Sequence, residues 1–339
     1  MSGRQRVAWI DAARGTGIVL VVLGHAAGGL IDSPLGVGQG GLRLLFFAIY
    51  LFHMPLFFLL SGLFVAERLA RGPAPFLRGL VPALVWPYFL WSTVQFAVIC
   101  ALGALVNRPA GAFLPTVLAL PWRTVSQFWF LYALFWMHVL AAGTVQRVGA
   151  GALVALGLAG KLAAALVQLD VTVRLVANNL VWYALGVALT APGAERLLGR
   201  GGPARLGARL AAIAVLAATL ALARRGLAGS LASGASPVLA NLAWRLWAIP
   251  AAVAGTWLVL LAGRRSGAAG LAARLGRHTM AIFVLHVLFI AGLRILLVRQ
   301  GLASDPWLLL APLAVAGLVG PLLAERMLCR LGLRRLLGL

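Results

Sequence analysis

The chain has 339 residues, 62% of them apolar and 11% charged, a balance outside the range of soluble globular proteins. A net charge of +22 would point to a nucleic-acid partner in a soluble chain. Here the arginines sit in the connections between apolar blocks, so the charge carries a membrane orientation signal and no nucleic-acid partner is expected. The blocks run to about 18–25 residues, enough to cross roughly 30 Å of hydrocarbon.

In chain order the predicted spans are residues 9–31, 42–65, 79–106, 126–146, 150–169, 173–191, 208–223, 238–262, 279–298 and 306–328. The expectation is an all-α, polytopic membrane helical bundle of about ten transmembrane helices. The connections alternate between arginine-rich and arginine-poor. A cytoplasmic N-terminus puts about 19 arginines inside and about 8 outside, so both termini read as cytoplasmic. Arg4, Arg6, Arg68, Arg71, Arg334 and Arg335 belong to the inside set. This pattern fits a multi-pass protein of a bacterial plasma (inner) membrane in contact with the lipid bilayer. The first block could also be read as a secretory signal with Ala26-Ala27-Gly28 as its cleavage site, but charged groups are rare in such segments, so the span is expected to be retained. No connection is long enough for a separate soluble domain, the longest outside one being 107–126. The two cysteines, Cys100 and Cys329, supply neither a disulfide framework nor metal-ligand spacing, and no metal is expected.

The first span is the richest in polar groups. Asp11, Arg14, His25 and Asp32 fall on one stripe of a helix, and His25 lies about 16 Å along the axis from Arg14. A mid-membrane imidazole is costly unless it faces protein or water. Two readings stand level on spacing alone: a reactive pair, or a packed histidine with an interfacial, snorkelling arginine. Gly24 and Gly28 form a small-residue pair that predicts close approach of a neighbouring helix. In the second span, Pro55 within His53-Met54-Pro55-Leu56-Phe57-Phe58 predicts a mid-helix kink beside a cavity. His53 lines that cavity or hydrogen-bonds another helix, and Ser61 reads more readily as packing than as a nucleophile. The fourth span opens on Gln127-Phe128-Trp129-Phe130, an interfacial aromatic belt or the wall of a site. The ninth carries His286. His138, Lys161, Asn178, Asn179 and Arg245 are expected mostly as interhelical hydrogen-bond partners.

Three of these stretches, taken in order, resemble acyltransferase family 3, membrane enzymes that acylate polysaccharides, lipids and antibiotics. Trp9-Ile10-Asp11-Ala12-Ala13-Arg14 running to Gly24-His25 is similar to the family's arginine, ten residues, histidine signature. His53-Met54-Pro55 through Ser61-Gly62 is the second element, and Trp129-Phe130-Leu131 with Val284-Leu285-His286 the third. The compact length and opening are similar to the fucose-acetylase and exopolysaccharide-acetylating branch. There are two departures. Only Arg78, in Pro75-Phe76-Leu77-Arg78, stands where members often carry two arginines three apart. The tyrosine expected ahead of the ninth-span histidine is Phe283.

The resemblance implies that residues 1–339 form a single transmembrane acyltransferase domain. It implies acyl-CoA, usually acetyl-CoA, as co-substrate with no tightly bound cofactor, and a hydroxyl acceptor on a glycan or lipid-linked sugar. Arg14 and His25 carry over as the catalytic pair, with His25 as general base or transient acyl carrier. Asp11, Arg78, His53, Ser61, Trp129 and His286 are the expected donor or substrate contacts. Acylation of an antibiotic, another small molecule or a membrane lipid is one alternative. A transporter or flippase for a lipid or lipid-linked sugar is another, since it also needs a kinked helix and buried histidines.

Overall fold

The fold is a computed structural model that describes residues 7–33, 35, 40–107, 111–199, 203–224, 237–265, 270–302 and 305–339. Arg4, Arg6 and the side chain of Arg245 lie outside the described residues. The described chain is helical throughout: α1 Ala8–Ile31, α2 Gly40–Tyr50, α3 His53–Gly62, α4 Val65–Leu69, α5 Pro73–Arg78, α6 Trp86–Leu102, α7 Phe113–Leu118, α8 Trp129–Val148 and α9 Ala150–Leu166. There follow α10 Val171–Leu189, α11 Ala191–Gly199, α12 Pro203–Arg224, α13 Pro237–Arg265, α14 Leu271–Arg277, α15 Thr279–Arg299 and α16 Pro306–Arg330.

Among the described residues, nine helical stretches are long and apolar enough to cross a membrane, and α9 is a shorter apolar helix at the fifth predicted span. Leu158, Leu162 and Leu166 on α9 and Leu206, Leu210 and Ile213 on α12 are exposed. Such faces are a liability in water and suit a helix bordered by lipid. The chain is a polytopic helical membrane protein.

Local sequence accounts for several boundaries. Asp170 and Asp305 cap α10 and α16, each carboxylate accepting the backbone N–H two residues on at 2.8 Å. Pro306 follows Asp305 at the start of α16, where its missing N–H costs nothing. Gly149 alone separates α8 from α9 and takes φ +88°, a left-handed conformation that suits glycine.

The expected kink within the second span is instead a break. The stretch divides at Leu51–Phe52 into α2 and α3, which puts Pro55 in the first turn of α3. A proline at position 55 cannot donate to the Leu51 carbonyl, and its ring crowds that carbonyl, so the helix restarts just before it. His53 bridges the gap: its Nδ1–H donates to the Ile49 carbonyl at 2.9 Å.

The helices divide into two compact, interleaved units. The first takes the described parts of Met1–Gly17, Phe47–Leu77 and Trp136–Gly276. Its helices approach at glycines. A Cβ at Gly15 would overlap the Ala272 carbonyl, one at Gly276 the Asp11 carbonyl, and one at Gly186 the Leu59 carbonyl. On α1 the closest backbone approach described is at Gly15, and Gly28 of the predicted Gly24/Gly28 pair also meets a neighbouring helix tightly, a Cβ there lying 3.0 Å from the Phe46 ring of α2.

The second unit takes Ile18–Phe46, Arg78–Phe135 and Arg277–Leu339. In it α15 packs on α16, with Gly317 against Ile290 and Gly320 against Phe289. The indoles of Trp86 and Trp91 on α6 donate to the Leu336 and Leu337 carbonyls at 2.7 and 2.9 Å, holding residues 331–339 against that helix. Two buried amides, Gln95 on α6 and Gln127 before α8, bond reciprocally at 3.1 and 2.7 Å. That pair fixes the entry to α8.

Candidate active site

In the second unit, α1 carries His25 and α15 carries His286. Their rings meet edge to face, with centroids 4.9 Å apart and planes at 64°. His286 is fully buried. Its Nδ1 lies 2.9 Å from the Ile282 carbonyl and 2.8 Å from that of Phe283. Both partners accept only, so Nδ1 bears the proton and Nε2 the lone pair. That Nε2 is buried and has no hydrogen-bond partner among the described residues. A buried nitrogen left as an open acceptor is uncommon in a satisfied core.

Aromatic rings wall this pair. Phe283 packs edge-on against Phe130 and Phe128, with centroids 5.6 and 6.2 Å away, and lies 6.3 Å from the His286 ring. The residue replacing the expected tyrosine is thus seated among two phenylalanine rings and the His286 ring. Trp129, expected at the site, is the first residue of α8 and half-buried. Ser126, at φ +49°, precedes this stretch, and its hydroxyl donates to Gln127, which bonds Gln95 in turn. Strain at a non-glycine residue is thus tied to the element that carries two of the rings.

The other sequence-predicted residues of α1, Asp11 and Arg14, are half-buried and belong to the first unit. In that unit His53 is buried, with Tyr50 edge-on at 4.5 Å. Ser61 donates to the Phe57 carbonyl one turn back at 2.8 Å, an ordinary intrahelical bond. Arg78, the last residue of α5, is exposed and opens the second unit. Lys161 reaches across from α9 to Asn178, at 3.1 Å to its side-chain oxygen, as an interhelical partner should. Asn179 instead bonds the Leu175 carbonyl within α10. His138 stacks on Phe76 and leans on Tyr183, with centroids 5.4 and 5.2 Å away.

Two features escape a reading of spans and histidines. Glu325 of α16 is buried, accepts from His278 at 2.7 Å and pairs with Arg334 at 3.4 Å. Arg294 is buried on α15. A lone arginine inside the apolar run from Phe289 to Val298 is a sequence signal for it, since intramembrane charge is rarely incidental.

Among the described residues no group of three or more His, Cys, Asp or Glu side chains could hold a metal ion. Two imidazoles in contact can share acid–base work: one ring takes a proton while its neighbour fixes orientation or shares that proton.

The chain is 32% identical over 138 residues to Nodulation protein NolL of Mesorhizobium japonicum, a stretch covering 38% of this chain and 34% of that protein. The likeness reaches about a third of the curated relative's length. No solved structure matches the chain. The acyltransferase domain of family 3 matches residues 7–326, from the helix that bears His25 to the one that bears Glu325, and the chain belongs to that family.

Proposed function

We propose that the protein moves an acetyl group from cytoplasmic acetyl-CoA to a hydroxyl of a glycan or lipid-linked sugar in a bacterial plasma membrane. The observation that carries this reading is the contact between His25 and the buried His286, whose Nε2 remains an open acceptor. His25 takes the proton of the acceptor hydroxyl as its oxygen attacks the thioester carbonyl. The C–O bond forms, the C–S bond breaks, and the imidazolium returns the proton to the departing thiolate. His286 is a positioning residue in this scheme: its ring packs edge to face on His25, and its open Nε2 is available to accept from the transient imidazolium. General-base catalysis of this kind is worth about 10²- to 10⁴-fold.

Arg14 and Arg78 serve the donor, binding its phosphates by charge-assisted hydrogen bonds, with Asp11 one turn from Arg14 to orient the guanidinium. Purified protein in proteoliposomes, supplied with labelled acetyl-CoA and oligosaccharide acceptors, tests the reading. Transfer of label to the glycan, abolished in His25→Ala and with a raised donor KM in Arg14→Lys, is the expected result. Label retained on CoA by wild type with every acceptor, or full transfer by both variants, contradicts it.

A further inference from the structure

Arg294 is 7% exposed, although it stands in the final third of α15, where an arginine could snorkel to water along the lipid face. It turns into the second unit instead. Gly29, one turn beyond His25 on α1, leaves it room: a Cβ there would come within 4.0 Å of the Arg294 Nε. Helical side chains lean toward the N-terminus of their helix, which for Arg294 is the end that carries His286. Asn107, from the long outside connection, donates to the Gly29 carbonyl at 2.8 Å and fixes that end of α1. Asp32, exposed at the end of α1, acts electrostatically on the guanidinium. The ion pairs described, Arg71–Glu67, His278–Glu325 and Arg334–Glu325, do not involve Arg294.

We infer that Arg294 is a recognition site for an oxyanion, carboxylate or phosphate, of an acidic acceptor that enters from the side the arginine bias marks as outside. The inference rests on the acyl transfer proposed above and names the class of substrate it serves. Gly29 lies about 6 Å along α1 from His25, roughly the span of one hexose ring. An anionic group held at Arg294 therefore leaves a hydroxyl of the same or the adjoining sugar at the histidine pair. A buried guanidinium suits this task because its planar fork meets a carboxylate or a phosphate through two parallel hydrogen bonds.

The test uses full-length protein in proteoliposomes with labelled acetyl-CoA and three acceptors: a glucosyl-glucuronate disaccharide, its neutral glucose counterpart, and the neutral disaccharide on a polyprenyl phosphate. Wild type is expected to show a lower KM for one of the two charged acceptors, which identifies the oxyanion. Arg294→Gln should raise that KM by about 10- to 100-fold, the weight of a lost charge-assisted bond, and leave the neutral acceptor's KM unchanged. Arg294→Lys should recover part of the loss. Asp32→Asn, which keeps the guanidinium and removes the competing charge, should lower the charged acceptor's KM severalfold and serves if the arginine variants fail to fold. Equal KM for charged and neutral acceptors in wild type, equal losses on both in Arg294→Gln, or a raised charged-acceptor KM in Asp32→Asn overturns the site while acyl transfer stands. No transfer to any acceptor overturns the underlying reading and this site with it.

Discussion

The ring of His25 on α1 and that of His286 on α15 meet edge to face at 4.9 Å, and the proton of His286 is committed to backbone carbonyls through Nδ1. This leaves one tautomer and one open nitrogen, a more definite chemical statement than either histidine makes alone. His286→Phe fills the same space and removes that nitrogen. It is expected to lower kcat by about 10²-fold with little change in acceptor KM or in the thermal midpoint in detergent. Parallel kinetics and melting curves check this, and a fall in stability matching the fall in rate would assign His286 to packing alone.

Glycine positions separate backbone contacts from side-chain contacts. Gly15→Ala and Gly276→Ala each drive a methyl group into a carbonyl of the facing helix, so each should cost about 1–3 kcal/mol or more. Gly28→Ala meets only the edge of the Phe46 ring, 3.0 Å from the built Cβ, and should stay within about 1 kcal/mol. Detergent unfolding of the three variants measures the order, and Gly28→Ala as the most damaging would contradict the packing described.

Much of this architecture is legible from apolar run length, because lipid demands helices of a set span and leaves few alternatives. All ten predicted spans have helical counterparts, including α9, which falls just short of full crossing length. Detail within the spans was less accessible. The Pro55 kink became a break at Leu51–Phe52, since a sequence shows which hydrogen bond a proline removes but not how the chain relieves it. The backbone contact at Gly15 was not legible, because helical periodicity says which residues share a face and nothing about which neighbour lies opposite. The same limit hid the meeting of His25 with His286, residues 261 positions apart in the chain.

The Gln95 and Gln127 amides bond each other in both directions at the entry to α8. Gln95→Leu leaves a buried amide without its partner and should cost about 1–3 kcal/mol, whereas replacing both by Leu should come back close to wild type. A double-mutant cycle in detergent reads the coupling, expected at about 1 kcal/mol given the modest worth of hydrogen bonds within membranes. Additive losses would mean the two amides act independently.

Glu325 gathers His278, next to the start of α15, and Arg334 of the C-terminal turn. Its own side chain is 6% exposed, but its partners are 42% and 53% exposed, so water screens the pair. Glu325→Ala is expected to destabilise by about 1 kcal/mol and Glu325→Gln by less, because the amide oxygen still accepts from His278. Chemical unfolding at low and high salt checks both, with a smaller Ala effect at high salt.

In the proposed acyl transfer His25 and His286 work as one unit. Turnover of labelled acetyl-CoA by wild type, His25→Ala, His286→Ala and the double variant in proteoliposomes tests it most directly. The prediction is a loss of at least about 10²-fold in each single variant and a double variant no slower than the worse single, as groups that share one step behave. Losses that multiply in the double variant, or a fully active His286→Ala, would contradict it.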